Sequence, residues 1–157
     1  MAGKEQVHDL MSAIGPMLEL LEVTEFDEEN LWTLVVDENT VLFADYEAEE
    51  GRLVLSTELG APPGGERHGL YELLLTYNNQ WGETGGVRMV LDAPGGNVVQ
   101  IYDLALAGLD LPRFQTVVGN FVDTARAWRE IVAKGGDGGG DSPAGPIDPF
   151  MSGMIRG

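Results

Sequence analysis

The sequence predicts an α+β fold, a twisted antiparallel sheet flanked by helices, in the order α-β-β-β-α-β-β-α. Apolar residues recur with helical spacing in three segments and concentrate in short β-branched and aromatic runs in five others. Turns rich in glycine, proline and acidic residues separate these runs. The chain has 157 residues, of which 43% are hydrophobic, so it is long and apolar enough to bury a core.

A first helix is predicted from about Glu5 to Ile14. Its apolar face follows the spacing i, i+3, i+4, i+7, at Val7, Leu10, Met11 and Ile14. Gly15 and Pro16 are expected to end the helix, because glycine suits a left-handed cap and proline cannot continue it. The apolar residues at 17–23 follow no clear period, and we interpret them as a buried connecting segment.

Three strands are predicted next, at Leu31–Val36, Val41–Tyr46 and Arg52–Thr57, with turns between them. Polar and apolar residues do not alternate cleanly in these strands, so both faces of the sheet carry apolar side chains. One face must meet the helices of the domain. The other is expected to meet more of this chain, a second copy, or a client.

The second half of the domain has a helix, a strand pair and a final helix. The helix is predicted from Glu66 to about Gln80, and the strands at Val87–Leu91 and Val98–Leu104. The final helix, Phe114–Lys134, has a wide apolar stripe and is capped by Asp110. We therefore predict one domain at residues 1–134 and a flexible, glycine-rich tail with a short apolar end at 135–157.

Charge and composition restrict the partners of the chain. The formal net charge is -17, and residues 1–60 contribute 15 acidic and 2 basic side chains to it. Such a field repels nucleic acid and anionic membranes. The absence of cysteine excludes disulfides, thiolate zinc sites and iron–sulfur clusters. No signal peptide or run of about 20 apolar residues is present, so we expect a cytoplasmic protein.

No pattern of residues indicates catalysis. His8 and His68 lack metal-binding spacing, and no serine lies in a nucleophile elbow. The glycine-rich segment 60–67 lacks the lysine and hydroxyl residue of a phosphate-binding loop. The acidic run Glu25–Asn30 lacks calcium-loop spacing and is interpreted as a solvated turn. We therefore expect no enzyme activity, no metal and no cofactor.

The order of elements, in a short, acidic, cysteine-free chain, resembles the class I type III secretion chaperones, the Tir-chaperone (CesT) family. The segments that carry the resemblance are Leu10–Gly15, Leu31–Asp37, Leu73–Asn79, Gly85–Asp92 and Phe114–Trp128. Trp81 and the pair Asn78-Asn79 depart from the usual end of the family's second helix.

The resemblance implies a homodimeric, ATP-independent chaperone that binds the unfolded N-terminal region of a secreted effector. Residues implied at the dimer interface, or else in the core of one chain, are Leu70, Leu73, Leu74, Tyr77, Val87 and Met89. Residues implied in client binding, or else in an ordinary core, are Val7, Met11, Ile14, Leu34 and Val36. The tail segment Pro149–Ile155 is expected either to dock into the client groove or onto an export component, or to be a disordered terminus.

Three other functions stay open at this point. A YbjN-like regulatory protein-binding module would have the same fold without a dedicated effector. An enzyme could hold a cofactor through backbone contacts, and a cofactor absorbance would reveal it. An acidic mimic of nucleic acid would bind a basic protein and release it in salt, whereas an apolar groove keeps its client in high salt.

Overall fold

The computed structural model describes residues 3–64 and 67–135. These residues fall into two compact units. The first combines the chain up to Thr57 with Tyr102–Gly119, and the second combines Glu58–Ile101 with the residues from Asn120 onward. The predicted tail, residues 135–157, lies outside the described residues apart from Gly135, so its boundary and its docking stay predictions.

The described residues form four α-helices and six β-strands. The helices are α1 (Gly3–Met17), α2 (His68–Asn79), α3 (Trp81–Thr84) and α4 (Leu111–Ala133). The strands are β1 (Glu22–Phe26), β2 (Leu31–Asp37), β3 (Thr40–Glu47), β4 (Arg52–Gly60), β5 (Arg88–Leu91) and β6 (Val98–Ala105). The antiparallel sheet has the strand order β1-β2-β3-β4-β6-β5, which confirms the α+β class.

In the first unit, α1 and strands β1 to β4 build a core. Antiparallel pairing places Trp32 opposite Ala44 and Leu34 opposite Leu42, and all four side chains are buried on one sheet face. The predicted apolar face of α1 is buried as well. The opposite sheet face keeps partly exposed apolar residues such as Phe43, in agreement with the imperfect alternation of these strands.

The first helix is longer than predicted, because proline near a helix end removes only one hydrogen bond. The helix continues through Pro16 to Met17, and Leu18 N still donates to Ile14 O at 3.0 Å. The left-handed residue is not Gly15 but Glu19, with φ 52°. The helix therefore ends a few residues later than the two stop signals predict.

The interpretation of residues 17–23 as a buried connection is wrong. The segment contains the start of β1, and Leu21 is 67% exposed and Met17 41% exposed. The acidic run that follows is also more ordered than a solvated turn. It includes the end of β1 and a short 3-10 turn at Asp27–Glu29, which ends at the left-handed residue Asn30.

In the second unit, α2 packs on β5, and β5 pairs with β6. The helix begins at His68, while the predicted start at Glu66 lies outside the described residues. It ends at Asn79, and the chain then forms the one-turn helix α3, which Gly85 ends with φ 71°. The buried Gln100 of β6 donates from Nε2 to the carbonyl of Phe121 at 3.0 Å.

The final helix begins at Leu111, directly after the predicted cap Asp110 and three residues before the predicted Phe114. Asp110 Oδ1 accepts a hydrogen bond from the amide of Arg113 at 2.9 Å, which satisfies an amide of the first turn. Pro112 lies in that turn. The predicted stripe is buried at Phe114, Val117, Val118, Phe121, Val122, Ala125, Trp128 and Val132, with Ile131 half-exposed. Among the described helices, none is long and apolar enough to cross a membrane.

Candidate peptide-binding groove

An open groove of about 830 Å³ lies in the first unit, between α1 and β1. The helix and the strand lie close together at Gly15, where an added Cβ would be in van der Waals contact with Val23 Cγ2, at 3.5 Å. The groove is lined by His8, Met11, Ser12, Gly15, Pro16, Glu19, Leu20, Leu21, Glu22, Val23, Glu25 and Trp32.

The apolar part of the groove combines a rigid floor with an exposed rim. Trp32 and Met11 are almost fully buried and form part of the lining, so they are held by the core. Leu20 and Val23 are half-buried, and Leu21 is 67% exposed. Exposed apolar side chains beside a buried floor can gain further burial when a ligand covers them.

The charged part of the groove is acidic. Three carboxylates, those of Glu19, Glu22 and Glu25, lie in the lining, which contains no lysine or arginine. His8 Nδ1 lies 2.8 Å from Glu25 Oε1, and Thr24 Oγ1 donates to Glu22 Oε2 at 2.7 Å. These contacts orient two carboxylates at the strand but leave an uncompensated negative field for a bound ligand.

An ion pair joins the start of α1 to the first residue of the 3-10 turn that follows β1. Lys4 Nζ lies 2.8 Å from Asp27 Oδ1 and donates to the Asp27 carbonyl at 2.9 Å. The hydrogen bond from Lys4, and then its charge, lower the pKa of the Asp27 carboxyl, and desolvation opposes them. The two walls of the groove are therefore linked at one end.

The outer edge of the sheet at β1 is open. Strand β1 pairs with β2 along its whole length, from Glu22 opposite Val35 to Phe26 opposite Leu31. Within residues 3–64 and 67–135, no strand pairs with the other side of β1. Peptide groups on that side can accept an added strand.

The edge at β5, in the second unit, is occupied at its centre. Asn78 Nδ2 donates to the carbonyl of Met89 at 2.8 Å, and the amide of Met89 donates to Asn78 Oδ1 at 2.8 Å. The side-chain amide of Asn78 thus makes the two hydrogen bonds that the backbone of a neighbouring strand would make to Met89. These two hydrogen bonds explain why the polar Asn78 stands near the end of α2, where the sequence departs from the pattern of the family that it resembles.

The residues predicted to bind a client lie mostly beneath the groove. Val7, Ile14 and Leu34 are fully buried, Met11 lines the groove, and Val36 is half-buried. Their role in client binding stays a prediction. Sequence reasoning did not assign Leu20, Leu21, Val23 and Trp32 to the groove. The apolar cluster after Pro16 was the available signal for the first three.

The residues predicted at the dimer interface are largely covered within the chain. Leu70, Leu74, Tyr77, Val87 and Met89 are buried and Leu73 is half-buried. The ring of Tyr77 meets that of Trp128 edge-on, with centroids 4.8 Å apart. The exposed apolar side chains near them are Leu75, at 68%, and Trp81, at 73%. Dimerisation stays a prediction.

The two histidines lie on the surface, as their sequence context suggests. His68 Nε2 lies 3.1 Å from Glu72 Oε2, one helical turn away, and both side chains are largely exposed. In the described part of the chain, no three His, Asp or Glu side chains converge as metal ligands would.

Comparison with solved structures finds the same fold. A chain of the ExsC–ExsE complex aligns with a TM-score of 0.72 and 22% identity, covering 85% of this chain and 98% of that one. A chain of the HopA1–SchA chaperone–effector complex aligns with a TM-score of 0.66 and 18% identity, covering 83% and 98%. The sequence matches no curated protein.

The profile of the Tir chaperone protein (CesT) family matches residues 13–129. The matched region includes the end of α1, all six strands, and most of α4. It covers well over half of the 157 residues. The chain therefore belongs to the Tir chaperone protein (CesT) family.

Proposed function

We propose that this protein is a type III secretion chaperone that binds the unfolded N-terminal region of a secreted effector and keeps it soluble and ready for export. The observation that carries the proposal is the groove between α1 and β1, with Leu21 exposed at its rim and an open strand edge beside it. One of the similar solved structures is a chaperone–effector complex, which supports the same function.

An unfolded segment suits this site because both of its binding modes tolerate variation in sequence. Strand addition at β1 uses backbone hydrogen bonds, and the apolar rim gains from burial of any large apolar side chain. Methionine at the groove, such as Met11, adapts to different side-chain shapes. The strong negative charge keeps a protein with exposed apolar residues soluble.

Neither binding mode requires ATP or a chemical reaction, so we propose a chaperone that acts by binding alone, in the cytoplasm. The exposed Leu75 and Trp81 of the second unit support the proposal that two copies associate through α2 and its neighbours. Light scattering should then give the mass of a dimer, and Trp81→Ser should lower it toward that of one chain.

The groove can be tested with two matched substitutions. The tagged protein is expressed in its host, captured at high salt, and its partners are identified by mass spectrometry. Leu21→Glu puts a charge on the groove rim, whereas Ala107→Glu puts the same charge on an exposed turn before α4, outside the groove. We expect Leu21→Glu to lower client recovery about tenfold or more and Ala107→Glu to preserve it, because only the charge in the groove would be buried by the client.

The captured client should be protected from limited proteolysis only in one segment near its N-terminus, which indicates extended binding. Equal recovery with both variants would contradict the groove as the binding site. A folded partner released by salt would instead indicate an acidic mimic, and no stable partner would favour the regulatory module.

A further inference from the structure

The open edge of β1 and the carboxylates beside it restrict which peptides fit the groove. This inference rests on the proposed function and concerns the chemistry of the client segment. From the geometry we infer that the groove selects an extended strand with two basic residues three positions apart, each next to an apolar residue. The occupant is thus a basic, apolar strand rather than any unfolded chain.

The strand pairing assigns each β1 side chain to a sheet face. Val23 lies opposite Leu34, and Glu25 lies opposite Trp32. Because cross-strand partners share a face and both of these β2 residues are buried, Val23 and Glu25 point to the inner face, toward α1. Glu22 and Phe26 therefore point to the outer face, where Phe26 is 43% exposed.

The two carboxylates therefore flank the open edge on opposite faces. Glu22 lies on the outer face at the start of β1, and Glu25 lies on the inner face three residues later. Glu25 is held by His8, and Glu22 accepts a hydrogen bond from Thr24, so both are oriented at the strand. The groove lining offers no lysine or arginine to neutralise them.

An added strand would place its side chains directly beside these residues, on the same faces. Opposite charges favour such cross-strand pairs, so basic residues fit beside Glu22 and Glu25. Apolar residues fit beside Val23 and Phe26, which are also three positions apart. A strand added parallel to β1 would fit as Lys-Val-Thr-Lys-Val, and one added antiparallel would fit as Val-Lys-Thr-Val-Lys. In both directions the two lysines are three positions apart and each lies next to a valine.

The spacing separates this proposal from general attraction between a basic peptide and an acidic protein. Lysines three positions apart in a strand point to opposite faces, whereas lysines two apart point to the same face. A peptide with the core Lys-Val-Lys-Thr-Val has the same composition and charge but can match only one of the two carboxylates. Long-range attraction is equal for both peptides, and local pairing is not.

The test measures binding of labelled peptides to the full chain by fluorescence anisotropy. Three peptides with identical flanks carry Lys-Val-Thr-Lys-Val, Lys-Val-Lys-Thr-Val, or Glu-Val-Thr-Glu-Val at the centre. We expect the first to bind about fivefold more tightly than the second, a ratio that corresponds to the one cross-strand charge pair by which the two peptides differ. The third should bind at least tenfold more weakly than the first.

Two double variants of the protein with equal net charge complete the test. Glu22→Gln with Glu25→Gln should abolish the preference for lysines three apart. Glu28→Gln with Glu29→Gln, in the exposed turn beyond β1, should preserve it. Loss of the preference in both, or in neither, would overturn the inference.

The remaining outcomes separate this inference from the proposed function. Equal binding of all three peptides would overturn the charge requirement and leave the chaperone function standing. No binding of any peptide would overturn both. The chain's own segment Pro149–Ile155 contains no lysine or arginine, so a peptide of that sequence that competes as strongly as the first peptide would also overturn the charge requirement.

Discussion

The two outer strands of the sheet differ in what lies beside them. Beside β1, in the first unit, is a groove with an exposed apolar rim and no pairing strand among the described residues. Beside β5, in the second unit, Asn78 holds both backbone groups of Met89. Unpaired strand edges can accept an added strand, so within the described residues the first unit offers such an edge and the second unit has its outer edge occupied at Met89.

The two edges are stabilised by different residues. The open edge is supported from below by the buried Leu34 and Trp32 of the neighbouring strand. The occupied edge depends on a single side chain that must stay in place. Substitutions can therefore weaken either edge without disturbing the other.

The largest effect is expected beneath the open edge. Leu34→Ala removes a fully buried side chain opposite Val23 and should lower the free energy of unfolding by about 2–5 kcal/mol, through lost burial and a cavity. Leu21→Ala, on the exposed rim, should change it by less than about 0.5 kcal/mol. Urea unfolding checks both, and similar losses in the two variants would show that the rim is part of the core.

The second effect concerns the occupied edge. Asn78→Ala removes both hydrogen bonds to Met89 and should lower the free energy of unfolding by about 1–3 kcal/mol, because two backbone groups lose their partners. The Met89 amide should exchange faster with solvent. Asn79→Ala is the control, since that side chain is exposed. If the two variants were equally stable, Asn78 would not be what closes this edge.

The smallest effect concerns pH and two carboxyls of the first unit. Lys4 lowers the pKa of Asp27, so this carboxylate stabilises the fold above its ordinary pKa of 3.8, and the contribution is lost as the pH falls through the lowered value. Burial, and then the charge of Glu47, raise the pKa of Asp45. Ionised Asp45 therefore destabilises the fold at neutral pH, and this penalty decreases as the pH falls through the raised pKa and is gone at about 3.8.

The expected results for these two carboxyls have opposite signs. Asp27→Asn should lower the urea midpoint at pH 7, and Asp45→Asn should raise it. The difference for Asp45→Asn should shrink as the pH falls toward 3.8, and the difference for Asp27→Asn should shrink only as the pH falls below 3.8. Shifts of the same sign at pH 7 would mean that overall charge, rather than the local partners, determines the effect.

The regular elements of this chain could be predicted from sequence because their patterns are local. Three strands, from Leu31 onward, and the long helix capped by Asp110 appear where β-branched runs and helical spacing place them. Strand β1 could not be predicted from a local pattern, because Glu22–Phe26 is short and contains two glutamates. Only its pairing with β2 makes it a strand.

The site was harder to predict than the fold for the same reason. Helical spacing identifies the buried face of α1, including Val7 and Ile14, but not which residues line a surface groove. That groove depends on where α1 ends and β1 begins, and Pro16 was expected to end the helix earlier than it does. The role of Asn78 could not be predicted either, because its partner Met89 lies eleven residues away in another element.

Backbone hydrogen exchange with and without the captured client segment shows whether the client binds at the open edge of β1. If the client adds a strand at the open edge, amides of β1, residues 22–26, should exchange more slowly in the complex. Amides of β5, residues 88–91, should be unchanged, because that edge is already occupied. Protection at β5 with none at β1 would contradict the account.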